Sequence, residues 1–277
     1  MKRLTVLALA AVATALAGLA APAAASAAGT GSIIACQRYA QNFVTKAPGV
    51  YDIWTDAFGG NPECLTESVT APAFTISSGF AKTPLGSVQA YPHISVSNFK
   101  PTELSKVGGE AVTWSTTQRT TDGAAADDAW AADTDDWISR TRTSTTPRAE
   151  LLIWLNRQGP PGFYPTPVHN RVYRVDGAKW YLVSWAAAGN RTWTYIQFRR
   201  VRPAASVRAM AMAPFFQAAE KAGLLKPWWW QQTMEAGFEI WSGGQGLAVG
   251  NFSASLSPAE IAPVPTAAAD RWNESLP

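Results

Sequence analysis

Glu150 and Glu239 are the residues of this chain whose type and setting are best suited to catalysis. Each lies in a short, otherwise apolar segment. Strand alternation puts Glu150 on the same face as Trp154, and Glu239 on the same face as Trp241. Two carboxyl groups can cleave an acetal by acid–base chemistry, and indole rings stack on sugar rings. The two segments therefore predict a sugar-cleaving cleft on one face of a sheet.

Period-two patterns dominate the chain beyond the N-terminal region and supply the elements that must position these residues. Strands are predicted at Tyr51–Trp54, Ala73–Ser77, Ile94–Ser97, Ala111–Thr117, Asp135–Ile138, Ala149–Leu155, Arg171–Val175, Lys179–Trp185, Thr192–Arg199, Glu235–Trp241 and Leu247–Leu256. The sequence Val175-Asp176-Gly177-Ala178 predicts a tight hairpin. A single helix is expected over Pro214–Leu225, with the proline in its first turn. Many short strands with one helix predict an all-β sandwich or jelly roll.

The N-terminal segment has the pattern of a secretory signal peptide. Lys2 and Arg3 precede an apolar run, and Ala25-Ser26-Ala27 matches a cleavage site, so residues 1–27 are expected to be removed. A membrane anchor is the alternative, but small residues and a cut site follow the run directly. No later stretch has the roughly 18 apolar residues that a spanning helix needs. We expect a secreted, extracellular protein with one catalytic domain over 28–257 and an Ala/Pro-rich tail or linker remnant over 258–277.

Composition narrows the possible partners. The formal charge of the whole chain is +3, and Lys2 and Arg3 contribute to it, so the mature chain is nearly neutral and has no electrostatic preference for nucleic acid or an anionic membrane. The 13 tryptophans exceed what a core needs and favour a stacking surface. The two cysteines, Cys36 and Cys64, predict one disulfide worth roughly 3 kcal/mol. His93 and His169 are isolated, so no metal site is predicted.

Four segments together resemble a known family. They are the Cys36–Cys64 block containing Trp54, the Tyr91-Pro92-His93 turn, the strand around Glu150, and the strand around Glu239 with its Gly243-Gly244. They are similar to glycoside hydrolase family 12, the small secreted endo-β-1,4-glucanases, over essentially the whole mature chain. The resemblance implies a two-sheet jelly roll with an open substrate cleft, a retaining mechanism, and no cofactor.

The resemblance also implies catalytic roles. Glu150 would be the nucleophile and Glu239 the acid/base, on either side of the scissile bond. The family places an aspartate two residues before an aromatic residue, ahead of the nucleophile strand. Asp135 and Asp136 are both candidates; alternation puts Asp135 on the face of Trp137, so Asp135 is predicted to orient Glu150.

Substrate contacts are expected from aromatic and polar residues of the four segments that resemble the family and from Trp137. They are Asp52, Trp54, Tyr91, His93, Trp137, Trp154, Asn156 and Trp241. The expected partner is a β-glucan polysaccharide, and the protein is expected to act as a monomer. Asp52, Leu152 and Ile240 stand where the family often has other residues, which affects the subsite preferences and leaves the reacting carboxylates intact.

Three functions fit these residues. The first is a secreted retaining endo-β-1,4-glucanase that hydrolyses cellulose-type and mixed-linkage glucans by double displacement. The second is a xyloglucan-specific endoglucanase, whose cleft would need room for the substrate's side chains at several subsites. The third is a non-catalytic glucan-binding jelly-roll protein, although binding alone would not require Glu150, Glu239 and Asp135 together.

Overall fold

Alternating apolar and polar residues produce short strands along most of the chain. The computed structural model describes residues 31–59, 63–79, 88–121, 128–159, 172–186 and 192–262. Its strands are β1 (Ser32–Ala35), β2 (Gln41–Lys46), β3 (Gly49–Trp54), β4 (Cys64–Ser68), β5 (Phe74–Ser78), β6 (His93–Val96), β7 (Thr102–Glu103), β8 (Ala111–Thr117), β9 (Ala129–Ser139), β10 (Ala149–Gln158), β11 (Val172–Val175), β12 (Ala178–Ala186), β13 (Thr194–Arg200), β14 (Ser206–Ala211), β15 (Trp230–Gln231), β16 (Glu235–Ser242) and β17 (Ala248–Ser255). Helix α1 spans Ala213–Lys221.

The strands form two sheets that pack as a sandwich. The smaller sheet has six strands in the order β1-β4-β5-β17-β8-β14. The larger sheet follows the path β11-β12-β13-β10-β9-β16-β6-β3-β2, and β7 and β15 join it beside β9. Among the described strands, only β10 and β13 pair in parallel. The architecture confirms the predicted two-sheet all-β fold, with one short α-helix and one turn of 3-10 helix, Leu104–Lys106, in the described ranges.

The core lies between the sheets and uses the apolar side of each strand. Leu151, Ile153 and Leu155 of β10 and Phe238 and Ile240 of β16 are fully buried in it, as alternation predicts. The smaller sheet contributes, among others, Leu65, Ile76, Trp114 and Phe252. Burial of this apolar surface leaves the opposite face of the larger sheet available for polar residues.

The predicted hairpin and helix are both present. Val175 pairs with Ala178 across a two-residue turn in which Asp176 and Gly177 have φ of 44° and 72°, as a tight hairpin requires. Helix α1 ends at Lys221 and not at the predicted Leu225. Gly223, with φ of 79°, ends the helix, and the Leu224 amide donates back to the Ala219 carbonyl.

Every predicted strand overlaps an observed one, and the strands that the sequence did not predict are short or lie at sheet edges. They are β1, β2, β4, β7, β14 and β15. Edge strands expose polar residues on both faces, so their alternation is weak. The start of the predicted tail is ordered, because the Ala262 amide donates to the Asn98 carbonyl.

The predicted Cys36–Cys64 disulfide is present and links the residue after β1 to the first residue of β4. No helix in the described ranges is long and apolar enough to cross a membrane. The predicted signal peptide, residues 1–27, and His169 lie outside the described residues.

Candidate active site

The outer face of the larger sheet, turned away from the core, carries both predicted catalytic glutamates; we call it the cleft face. Glu150 lies on β10 and Glu239 on β16, and both strands pair with β9 between them. Across these strands Glu150 is opposite Trp137, and Glu239 is opposite Ala131. The central strand β9 therefore determines what lies between the two glutamates.

Glu150 is held by an indole donor. The Trp193 Nε1–H group donates to Glu150 Oε2 over 2.9 Å, and Glu150 is only 7% exposed. Trp193 is fixed in turn by an edge contact with Trp137, at 5.4 Å between ring centroids. A hydrogen bond to a buried carboxylate favours its charged form, which is the form a nucleophile needs.

Two aspartates of β9 face the cleft, and a third faces inward. Asp135 and Asp133 lie on the same face as Trp137, whereas Asp136 points to the other side and accepts a hydrogen bond from Gln231 at 2.7 Å. Burial, then the nearby Glu150 carboxyl, raises the pKa of Asp135 well above its usual range. The structure thus places Asp135 beside Glu150, where the sequence predicts it.

Glu239 is surrounded by three groups that act on its charge. Burial raises the pKa of Glu239 to about 7, while Asp133, the Trp154 indole and the Arg199 guanidinium each act to lower it. A carboxylic acid with this pKa retains its proton in mildly acidic solution and can release it at the active site. The environments of Glu239 and Glu150 therefore differ, as an acid and a nucleophile require.

The predicted aromatic residues on one side of β16 form a stack. The His93 ring lies nearly parallel to Trp54, at 6.1 Å, and to Tyr91, at 4.8 Å. Burial lowers the pKa of His93 to about 4, so its ring is neutral near pH 7 and its Nδ1–H donates to the Tyr91 carbonyl. His93 Nε2 lies 3.9 Å from Glu235, a further acid on the cleft face.

Above β9, Trp154 of β10 and Trp241 of β16 meet edge to face at 6.0 Å, and Arg199 lies 5.0 Å over the Trp154 ring. Trp154 is 3% exposed and Trp241 9% exposed. Both residues therefore line the floor beside Glu239, and the alternation predicted for these segments holds.

Asp52 and Asn156 differ from each other in placement. Asp52 is buried on the cleft face opposite Ser95. Asn156 does not join that face, because a bulge after Trp154 shifts the register and pairs Asn156 with Ala132 of the core side. Its amide Nδ2–H donates to Gln118 at 2.6 Å. The prediction of a substrate contact at Asn156 is therefore not supported by the geometry.

Several cleft residues were not predicted from the sequence. They are Asp133, Trp185, Trp193, Tyr195, Arg199 and Glu235. Asp133 and Glu235 could have been found, because each lies an even number of positions from a predicted site residue on its own strand. The β13 residues gave no such signal, since β13 is separated from β10 in sequence and joins it only in the sheet.

The arrangement is suited to acid–base and nucleophilic chemistry on an uncharged polymer. It combines the buried carboxyl groups of Asp133, near Glu239, and of Asp135, near Glu150, with aromatic rings on the same face. Within the described ranges, no group of three or more His, Cys, Asp or Glu side chains is arranged to hold a metal ion.

The chain is similar to a known protein family and to solved structures of that family. The family model for glycosyl hydrolase family 12 matches residues 51–257. Among solved structures, endoglucanase Cel12A from Rhodothermus marinus is 27% identical with a TM-score of 0.69, covering 80% of this chain and 98% of that one. A metagenome-derived family 12 endoglucanase is also 27% identical, with a TM-score of 0.69, covering 82% and 98%.

A family 12 xyloglucanase from Bacillus licheniformis shares the fold at 17% identity and a TM-score of 0.63, covering 78% of this chain and 99% of that one. A comparison with curated protein sequences gave no match. The family model covers most of the chain, and the fold agrees with the solved family 12 structures. The chain belongs to glycosyl hydrolase family 12 and is a glycoside hydrolase.

Proposed function

We propose that this glycoside hydrolase is a secreted, monomeric, retaining endo-β-1,4-glucanase that acts on cellulose-type and mixed-linkage glucans. The observation that carries the proposal is the placement of Glu150 and Glu239 on one sheet face, on the two strands that flank β9, with different surroundings. The similarity to two endoglucanases at 27% identity supports the same substrate class.

In the first step, the Glu150 carboxylate attacks the anomeric carbon while Glu239 gives its proton to the departing glycosidic oxygen. A covalent glycosyl-enzyme forms and the C–O bond to the leaving chain breaks. In the second step, Glu239 takes a proton from water, and the water oxygen displaces Glu150 from the same carbon. The Trp193 indole stabilises the charge of Glu150 at the start and end of this cycle.

The pKa of Glu239 gives the reaction an expected pH dependence. Glu239 must be protonated for the first step, and its pKa is about 7. Activity should therefore fall as the pH rises above about 7, because the proton is lost. A profile that stays flat to pH 9 would contradict the assignment of Glu239 as the acid.

The test measures reducing-sugar release from barley β-glucan, carboxymethylcellulose and xyloglucan by the mature protein. Glu150→Gln and Glu239→Gln are each expected to lose at least about 1000-fold in activity, in line with the loss of a catalytic carboxyl. Glu220→Gln on α1 is the matched control, since Glu220 lies outside the cleft face. Binding without hydrolysis by the unchanged protein would favour a glucan-binding role, and activity confined to xyloglucan would indicate a xyloglucan-specific enzyme.

Azide separates the two roles. With an aryl β-cellobioside, Glu150→Ala with azide should give an α-glycosyl azide, because azide replaces the nucleophile. Glu239→Ala should give a β-glycosyl azide, because azide attacks the glycosyl-enzyme in place of water. The opposite products would exchange the assigned roles. Secretion is tested separately by sequencing the N-terminus of the exported protein, which is expected near Ala28.

A further inference from the structure

Asp133 is a fully buried carboxyl group on the cleft face that the catalytic scheme above leaves without a role. It lies on the same side of β9 as Asp135, opposite Trp154 on one neighbouring strand and opposite Gly237 on the other. Because Gly237 has no side chain, the nearest β16 side chains to Asp133 are Glu235 and Glu239, two positions to either side, and Glu239 is the one that acts on its charge.

Asp133 and Glu239 are diagonal neighbours across the β9–β16 pair, close enough for each carboxyl group to act on the charge of the other. Like charges at neighbouring positions are unfavourable where water is largely excluded, so at least one of the two carboxyl groups holds a proton. Burial and the neighbouring Glu239 raise the pKa of Asp133 well above its usual range. The interaction with Asp133 acts in the opposite direction on Glu239 and lowers the pKa of that group.

The other charged or titratable groups around this pair come from every adjacent strand. They are Asp135 on β9, Glu150 on β10, Arg199 on β13, Glu235 on β16 and His93 on β6. Of these acids, Glu150 favours protonation of Asp133, because it adds negative charge nearby. Arg199 acts on Glu239 and favours its ionised form.

We propose that Asp133 is a positioning residue for Glu239: its carboxyl keeps its proton and donates a hydrogen bond to the Glu239 carboxylate. The inference rests on the proposed role of Glu239 as the acid/base. After Glu239 has transferred its proton to the leaving oxygen, the Asp133 O–H stabilises the carboxylate that remains. Glu239 regains a proton from the attacking water, and Asp133 is unchanged at the end of the cycle.

The experiment follows the ionisation of Glu239 directly, by ¹³C NMR of protein labelled at the glutamate carboxyl carbons. Glu239→Gln assigns the signal by its disappearance. Asp133→Leu removes the donor at nearly constant shape and should raise the pKa of Glu239 by about one unit or more, since a hydrogen bond to a charged group is lost. Asp133→Asn retains a donor in its amide and should shift the Glu239 titration less than Asp133→Leu does.

Two results would overturn the proposal. If Asp133 were ionised beside a protonated Glu239, both variants would lower the pKa of Glu239, and that outcome overturns the proposal. An unchanged Glu239 titration in Asp133→Leu also overturns it, because a purely structural residue would give that result. If the leucine variant does not fold, Asp133→Ala replaces it with the same expectation.

Asp136→Asn is the matched control, because Asp136 belongs to the same strand but faces the other side. It should leave the Glu239 signal in place. The readout needs no substrate, so absence of glucan hydrolysis by the unchanged protein would count against the proposed function alone. Where the protein is active, the alkaline limb of kcat/KM should move upward in Asp133→Leu together with the NMR titration.

Discussion

At the scale of single residues, the cleft face separates two chemically identical side chains by what surrounds them. Glu150 accepts a hydrogen bond from the Trp193 indole, whereas Glu239 lies beside a second carboxyl group and Arg199. The first environment favours a charged group, and the second produces an acid with a pKa of about 7. The proposed division of roles between nucleophile and acid therefore depends on neighbours from β9, on Trp193 just before β13, and on Arg199 within β13.

Trp193 provides a direct test of this view. Trp193→Phe removes the donor to Glu150 but keeps an aromatic ring against Trp137. A hydrogen bond to a charged group contributes roughly 1.5–3 kcal/mol, so kcat/KM for β-glucan should fall about 10- to 100-fold. The measurement is steady-state kinetics with a melting curve for each variant.

Trp228→Phe is the matched control, because Trp228 is 60% exposed and is not among the cleft-face residues. Its kinetics should match those of the unchanged protein. Equal kcat/KM in Trp193→Phe and the control would mean that the indole N–H group does not support Glu150.

At the scale of elements, strand alternation predicts which side chains share the cleft face, and this prediction holds only up to the next β-bulge. The faces of Glu150 and Trp154 follow from counting along β10, and so does the choice of Asp135 over Asp136. The same count puts Asn156 on the wrong face, because the β10 bulge inserts one residue after Trp154 and no local sequence pattern predicts that bulge. Trp193 and Arg199 were missed because pairing between β10 and β13 depends on the whole sheet.

Gly237 tests how closely β16 and β6 must approach. A Cβ atom at Gly237 would lie 2.2 Å from the Pro92 carbonyl oxygen and 2.7 Å from His93 Cα. Gly237→Ala should therefore force the strands apart, destabilise the protein by about 1–3 kcal/mol, and displace Glu235 and Glu239. Chemical denaturation and β-glucan hydrolysis should both report the change.

Gly109→Ala is the corresponding control, since a Cβ there meets nothing within 4 Å. It should change neither stability nor rate measurably. A Gly237→Ala protein with full activity would show that the separation of β16 and β6 is not critical for the placement of Glu239.

The ends of the sheet predict how a long substrate is held. Phe43 on β2 pairs with Asp52 and is 55% exposed, while the partly buried Trp185 on β12 stacks on Tyr195 at 4.9 Å. These rings lie on the cleft face toward opposite edges of the larger sheet. A glucan chain that crosses the strands would meet one ring at each end.

Phe43→Ala and Trp185→Ala should each raise KM for long β-glucan about 3- to 10-fold, the loss expected for one stacked ring. Neither should change kcat/KM for an aryl β-cellobioside, which is too short to reach them. Equal effects on the long and the short substrate would indicate damage to the site itself and would contradict a substrate path across the strands.

At the scale of the whole molecule, composition and periodicity predict the class of fold because they record which residues must be buried. The aliphatic rows of β10 and β16 identify the core side, and the tryptophan content indicates a second, functional surface. The order of strands in each sheet does not follow from such local patterns. It depends on long-range pairing, such as that of β17 with β5 and β8.

Buried acids also give the whole molecule an expected dependence of stability on pH. Burial raises the pKa of Glu239, Asp56 and Glu67 to about 7, of Asp136 to about 8, and of Glu110 to about 9. Between the ordinary pKa near 4 and these values, the folded state binds more protons than the unfolded chain. The free energy of unfolding therefore decreases as the pH rises through this range.

His93 acts with the opposite sign over a narrower range. Its pKa is lowered to about 4 from 6.5, so its contribution to stability increases as the pH rises between these values. The acids are more numerous, so between pH 5 and pH 9 stability should be greatest at pH 5 and should decline toward pH 9. One pKa unit on each of two groups already amounts to about 3 kcal/mol, or a decrease in Tm of about 6–12 °C.

Calorimetry at pH 5, 7 and 9 measures this decline, and one pair of acids should account for much of its alkaline part. Glu110 and Asp136 interact beneath the sheet near Gln231, away from the cleft face. The double variant Glu110→Gln, Asp136→Asn should flatten the decrease in Tm between pH 7 and 9, because neither amide titrates. Glu103→Gln at the exposed surface should leave the slope unchanged. A Tm that rises from pH 5 to 9 in the unchanged protein would mean that these acids are ionised in the folded state.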